Sequence, residues 1–452
     1  MQYASYNPYT RITTATYPYD SDEQIAQALE RLQKRFETHK YSPLAERQQL
    51  LERVAADLLA NKQLYAETIT REVGKPIRQA IAEVEKSAWV CQYFAREGAM
   101  HLAPEEFAGN AHEKVSILYQ PVGILLQIMP WNFPFWQVFR FLAPALLVGN
   151  VILLKHAPNV PDCAQLIHKI FQNILPGILE NIFAQNEQIP RILQDNRVQG
   201  LGFTGSNRAG AIVGGLAGQN IKKSVLELGG NDACIICADA DLDKAVKGAV
   251  WSRLQNTGQT CISTKRFIID QRIYTDFVQK SISYINSLVQ TDPFSEKADL
   301  GTLARPDLLA HLSQQVDISV QKGAKILLHG GQIPDTNFFQ TMILTDIPTD
   351  SPAYREELFG NVLCLFPFEQ ESEALRLAND SIYGLGASIW TQDEEKAQFF
   401  AQRLEAGAVS INQMVKSDPR FPFGGIKQSG YGRELGKQGL LEFANIKTIS
   451  RL

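Results

Sequence analysis

Val122-Gly123-Ile124-Leu125-Leu126-Gln127-Ile128-Met129 is an aliphatic run that Pro130 stops. A run of this length, closed by a helix breaker, reads as a buried strand. Phe135 to Leu147 then has helical length, and Asn150-Val151-Ile152-Leu153-Leu154 is the next strand. Cys163 to Leu175 is again helical and Val198 to Phe203 again extended. Strand–helix–strand alternation requires parallel pairing with helices on the sheet faces, so the fold class is α/β.

Upstream, Ser21 to about Leu102 is mostly helical. Ile25, Ala28, Leu29 and Leu32 recur at helical spacing, as do Leu50, Leu51, Val54, Leu58 and Leu59, with Ser21 or Asp22 as the first cap. Downstream of Gly229-Gly230 a second alternating series begins. It has strands at Ala233 to Ala238, Arg266 to Asp270 and Lys325 to Leu328, and helices at Leu242 to Gln255, Tyr274 to Val289 and Pro306 to Lys322. After the Gly-rich Gly424 to Gly436, the end from Asn445 to Leu452 alternates and suits pairing with another strand.

The chain has 452 residues, enough for about two to three folding units. It is 45% hydrophobic and 20% charged, with a net charge of -4, which gives no reason to expect nucleic acid. The most apolar region, Val138 to Leu154, is interrupted by Arg140, Pro144, Gly149 and Asn150 and cannot span a bilayer. No secretory signal is visible, and six scattered cysteines fit a reducing cytoplasm. Cys234-Ile235-Ile236-Cys237 has CxxC spacing but lies in an apolar run. It reads as a buried strand, because redox pairs sit exposed at a helix start.

The polar stretch Gln255-Asn256-Thr257-Gly258-Gln259-Thr260 leads into Cys261, a candidate nucleophile rather than a core thiol. Four other features sit where strands end, the place where open α/β sheets bind ligands. Asn132, in Pro130-Trp131-Asn132-Phe133-Pro134, can aim its amide at a developing oxyanion, or satisfy local backbone instead. Lys155, in Leu154-Lys155-His156-Ala157-Pro158, can reach sugar hydroxyls or phosphate, or be a solvated charge. Phe203-Thr204-Gly205-Ser206 turns into a helix whose N-terminus suits phosphate. Glu227, in Leu226-Glu227-Leu228-Gly229-Gly230, has apolar neighbours that would raise its pKa toward that of a general base; otherwise it bonds backbone before a tight turn.

Together with Glu356-Glu357-Leu358-Phe359-Gly360 and Pro422-Phe423-Gly424-Gly425, these motifs resemble the aldehyde dehydrogenase superfamily in identity, order and spacing along the whole chain. The resemblance implies a Rossmann-type cofactor domain over 1–108 and 120–230 and an α/β catalytic domain over 231–416. It also implies a small β element, from 109–119 and 417–452, that builds a homo-oligomer, dimer or tetramer. Cys261 would be the nucleophile, Asn132 and the Cys261 N–H the oxyanion hole, and Glu227 the base for the deacylating water. Around the dinucleotide it places Met129, Pro130, Trp131, His156, Pro158, Gly205 and Leu228. Lys155 and Glu356 would hold ribose hydroxyls, Ser206 the pyrophosphate and Phe359 the nicotinamide. No metal is implied. The reaction implied is oxidation of an aldehyde to an acid through a cysteine thiohemiacetal and thioester. The glutamate base argues against the CoA-acylating relatives. Asn361 stands where the family often has proline, which is expected to loosen that loop.

By the same alignment Phe133, Trp136, Gln137 and Arg140 share one helix face and line the substrate tunnel, completed by Ser417 and Phe423. A guanidinium on an aromatic wall needs an anion. A substrate carboxylate would supply it, with Ser417 as second donor; the alternative is a protein carboxylate and a general aliphatic or aromatic aldehyde. The segments Phe133 to Arg140 and Met414 to Arg420 resemble bacterial succinate-semialdehyde dehydrogenases. Pro158 replaces the glutamate of NAD-preferring relatives, which removes repulsion against a 2′-phosphate that Lys155 or His156 could approach. The reading leans to NADP over NAD.

Overall fold

The structure, a computed structural model, describes residues 2–110 and 113–452. Its first sheet has six strands, in the order Gly430–Tyr431, Lys223–Glu227, Val198–Thr204, Ile124–Met129, Val151–His156 and Leu179–Asn181. The five internal and far-edge strands run parallel, and Gly430–Tyr431 closes the near edge antiparallel. The aliphatic runs are buried because helices cover both faces. Strand Ile124–Met129 starts two residues later than the sequence suggests, since Gly123 takes φ 143° and the Val122 and Gly123 amides bond Asn150 Oδ1.

Helices Asp22–His39, Leu44–Ala60, Lys62–Val73 and Ile77–His101 precede this sheet. The first buries Ile25, Ala28, Leu29 and Leu32, and Ser21, not Asp22, caps it through a reciprocal bond with Gln24. A hairpin, Tyr3–Asn7 with Ile12–Tyr17, comes before them and was not anticipated. Its inward positions are Tyr3, Ser5 and Asn7, polar residues that mask the alternation.

The second sheet has seven strands, in the order Lys325–Leu328, Met342–Thr345, Val362–Phe368, Arg266–Asp270, Ala233–Ile236, Gly386–Trp390 and Ala408–Ile411. Only Lys325–Leu328 is antiparallel. Cys234 lies in a central strand and Cys237 just beyond it, both buried and unpaired, with thiols pushed up to about 12 by burial. That is a core, not a redox couple.

A third sheet pairs the C-terminal strand Ala444–Arg451 with Lys114–Pro121, and that strand with Glu105–Ala108, all antiparallel. Ala111 and His112, within the segment expected for oligomerisation, lie outside the described residues. Between residues 417 and 452 only the last strand joins this sheet, because Gly430–Tyr431 belongs to the six-stranded one. No helix among the described residues is long and apolar enough to cross a membrane.

Candidate active site

Helix Leu242–Leu254 of the second layer runs into a single tight turn, Gln255–Gly258, from which Cys261 follows. Asn256, Thr257 and Gly258 all have left-handed backbone, with φ of 51°, 55° and 77°. Two consecutive non-glycine residues in that region are strained, and such strain persists only where surrounding bonds hold it. Here they do. Asn256 Nδ2 donates to Asn132 O at 2.8 Å, Asn132 Nδ2 donates to Gln259 O at 2.9 Å, and the Gly301 amide donates to Thr257 Oγ1 at 3.0 Å. Gly258 is obligatory, since a Cβ there would lie 2.3 Å from the Gly360 carbonyl.

The reciprocal bonds bring Asn132 and the cysteine loop together across the two layers. One N–H of the Asn132 amide is used on the loop, and its second remains for another acceptor. Cys261 is half-buried and packs against the core of the six-stranded sheet. Burial pushes its thiol up to about 12, opposed by the charges of Lys265 and Arg140. Lys265, which the sequence reading missed, donates to Thr260 O at 3.0 Å and to Cys261 O, and pairs with Glu357 at 3.1 Å.

Glu227 ends strand Lys223–Glu227, fully buried, with no hydrogen-bond partner for either carboxylate oxygen among the described residues. Burial, then Glu434, raises its pKa well above the carboxylate range, while Arg140 and Arg433 oppose. Backbone bonding before a turn therefore does not account for this glutamate.

Arg140 is the main correction. Its guanidinium pairs with buried Glu434, donates to Thr204 Oγ1 at 3.3 Å and lies over the Phe423 ring at 4.8 Å. The anion it needs is supplied by the protein, the second of the two alternatives. Glu434 lies in the Gly-rich C-terminal segment, and nothing local in the sequence couples it to Arg140.

The expected tunnel face is present. Phe133, Trp136, Gln137 and Arg140 line a cavity of about 460 Å³ that also reaches Cys261, Ser417 and Phe423. A second helix face, Gln79, Ala82, Glu83 and Lys86 at i, i+3, i+4 and i+7, forms another part of the wall. This helix carries polar residues on several faces, Arg78, Glu85, Gln92, Arg96 and Glu97 among them, so the stripe facing the cavity did not stand out in sequence. Glu83 is locked: it pairs with Lys75 and accepts from the amides of Phe135 and Trp136 at 2.9 and 3.1 Å.

Among the residues expected to face a dinucleotide, Lys155 is the penultimate residue of strand Val151–His156, buried, and makes no ion pair among the described residues. Burial draws its pKa down to about 8, opposed by Glu187. Ser206 caps helix Asn207–Gln219 with its hydroxyl, and Gly205 donates to Glu227 O at 3.0 Å. Trp131 and Phe359 meet edge-on at 6.0 Å between Met129-Pro130 and the Glu356 loop. Glu356 is exposed and accepts from Gln315 Nε2 at 2.7 Å; the Leu228 amide is taken by Ser429 O at 3.0 Å. The N-terminus of the 13-residue helix Asn207–Gln219 suits a phosphate, and the buried Lys155 ammonium, two strands away in the same sheet, is without an ionic partner among the described residues.

His156 does not fit the approach to a 2′-phosphate. Its Nδ1 accepts from the Ala157 amide at 2.8 Å, its Nε2 donates to Pro134 O at 2.9 Å, and burial lowers its pKa to about 4. It is a neutral brace. Asn361 also departs from expectation, because it is fully buried and donates to Phe339 O at 2.7 Å and Thr341 Oγ1 at 3.1 Å. It pins the loop it was expected to loosen.

Residues 1–449 match the Aldehyde dehydrogenase family. A probable succinate-semialdehyde dehydrogenase [NADP(+)] of Synechocystis sp. is 45% identical over 99% of both chains. Succinate semialdehyde dehydrogenase [NAD(P)+] Sad of Escherichia coli (strain K12) is 42% identical over 98% of this chain and 97% of its own. The crystal structure of succinic semialdehyde dehydrogenase from Streptococcus pyogenes in complex with NADP+ superimposes with a TM-score of 0.96 at 35% identity, covering 99% of each chain. With the strained cysteine turn, the buried free carboxyl and the parallel sheets all in one molecule, the chain belongs to the aldehyde dehydrogenase family.

Proposed function

We propose that this protein oxidises succinic semialdehyde to succinate with NADP, through a thioester on Cys261. The observation that carries the reading is Cys261, which lines a cavity of about 460 Å³ directly after a loop that Asn132 and Asn256 pin. The relatives at 42–45% identity, named for this substrate, support it.

Cys261 Sγ, once deprotonated, attacks the aldehyde carbon. The oxygen that becomes an oxyanion is met by the free Asn132 N–H and the Cys261 amide, a donor of this kind being worth about 3–4 kcal/mol. Bound NADP supplies the hydride acceptor that makes the thiohemiacetal a thioester. Glu227 removes a proton from water, which cleaves the thioester and returns the thiol. Lys155, Ser206 and the helix it caps, and Glu356 would hold the dinucleotide. Pro158, in place of a carboxylate, leaves the 2′ position unopposed from that residue.

Engagement of Arg140 by Glu434 favours one second reading, a general aldehyde dehydrogenase with no carboxylate preference. Reduction of each dinucleotide, followed at 340 nm with succinic semialdehyde and with hexanal, separates the two. The expected result is a kcat/KM for succinic semialdehyde with NADP well above every other combination. Preference for hexanal would overturn the substrate, and preference for NAD the cofactor. The three-stranded sheet exposes Phe107 and Ile446, which supports its use as the surface on which copies of this chain assemble.

A further inference from the structure

The charges lining the cavity do not cancel. Arg78 pairs with Asp299 at 2.8 Å, Glu83 with Lys75, and Arg140 with Glu434. The remaining ionic groups on the wall are Lys86 and Lys416. Lys416 is exposed, whereas Lys86 is half-buried on helix Ile77–His101.

The Lys86 ammonium lies 4.1 Å from the centroid of the Trp136 ring and donates to Ser417 Oγ at 2.9 Å. Two acids lie close enough to stabilise its charge, Glu83 and Asp418. Both are committed elsewhere, Glu83 as described and Asp418 to Arg420 at 2.7 Å. Of the three ammonium protons, one goes to Ser417. Because Ser417 Oγ accepts that bond, its own hydroxyl proton is free to donate. The pair therefore offers an ammonium and a hydroxyl side by side to one anion.

We propose that Lys86, with Ser417, receives the substrate's carboxylate, and that Arg140 does not. This rests on the reading of succinic semialdehyde as substrate and names the residue that selects it. A carboxylate accepting from both groups balances the unpaired charge, and the Trp136 and Phe133 rings flank the chain between the carboxylate and the aldehyde. Desolvation and the neighbouring Arg140 and Lys416 draw the Lys86 pKa down to about 7, against Asp418 and Glu83. Free enzyme thus loses this charge as pH rises above neutrality, and a bound carboxylate holds it on.

The test is the ratio of kcat/KM for succinic semialdehyde to that for hexanal, in the wild type, Lys86→Met, Lys86→Arg and Arg140→Met. Groups acting on the chemistry common to both aldehydes cancel in that ratio. Lys86→Met should lower it about 10- to 100-fold, the size of a charge-assisted bond, and Lys86→Arg should restore part of it. Raising the pH from 7 to 9 should lower the ratio in the wild type and leave it flat in Lys86→Met. An unchanged ratio in Lys86→Met, or a larger loss in Arg140→Met, overturns the proposal.

A second measurement needs no turnover: protection of Cys261 from iodoacetamide by succinate, compared with protection by butanol. Succinate should protect the wild type better than Lys86→Met; equal protection rejects Lys86. A wild type that is protected but does not oxidise succinic semialdehyde would reject the substrate while retaining the anion site.

Discussion

Cys261 sits under burial that keeps its thiol protonated at neutral pH, and Lys265 is the first charge opposing that effect. Alkylation of the free protein by iodoacetamide should therefore keep accelerating with pH, without levelling off below about pH 10. Mass spectrometry of the Cys261 peptide checks it; a plateau near neutrality would mean the thiolate is already formed. Cys261→Ala should abolish oxidation while NADP binding, read by fluorescence, stays nearly intact. Glu227 is raised in the same sense, and a protonated carboxyl cannot accept a proton from water. Steady-state turnover should accordingly climb with rising pH, as this carboxyl ionises above the ordinary carboxylate range. In Glu227→Gln it should fall at least about 100-fold while the first-turnover burst of reduced dinucleotide persists. A burst lost together with turnover would place Glu227 before the thioester. The cysteine, the amide of Asn132 and this carboxyl were all legible in sequence, the cysteine because a polar, glycine-containing stretch leads into it and the other two because they stand where apolar strands end. Glu434 and Lys265 were not, since their guanidinium and carboxylate partners, Arg140 for Glu434 and Glu357 for Lys265, come from distant segments that only the fold assembles.

Among the elements, helix Trp136–Val148 matters most, because its first turn carries one wall of the cavity. Its N-terminus is fixed by Glu83, whose one carboxylate oxygen takes two amides and whose other pairs with Lys75. Both ions are fully buried. Removing one partner leaves an uncompensated charge, so Lys75→Met should destabilise the fold by about 3–5 kcal/mol, seen as a lower Tm. A change within experimental error would show that the helix start is held some other way. The helix itself was expected from its length and apolar content, one residue out of register. Helix Pro161–Ile174 was placed two residues late, for a physical reason: Pro161 fits the first helical position, where its missing N–H costs nothing. The strand Arg266–Asp270 was read with its observed limits, since charged residues bound a short aliphatic run.

At the scale of the whole molecule, two parallel sheets meet at the cysteine turn, and a third sheet ties the far end of the chain to strand Lys114–Pro121. The alternation of strands and helices foretold the first two. Pairing of the last strand was expected, with 109–119 as the companion segment the resemblance implied; the register against Lys114–Pro121 was not legible, because register is a property of the folded sheet. If copies assemble through this sheet, Ile446→Asp should shift light scattering toward a smaller species. An unaltered mass would exclude that surface. The opening hairpin has a practical meaning for anyone handling the protein. Tyr3 Oη donates to His156 O and Ala184 O at 3.3 and 3.2 Å, and the Ala4 amide donates to Pro158 O at 2.9 Å. An affinity tag fused ahead of Tyr3 therefore hangs from a clasp on the loop after strand Val151–His156, the loop proposed to face the dinucleotide. On that proposal, a purification handle placed there is expected to weaken coenzyme binding without touching a catalytic atom, and a cleavable leader is the safer design.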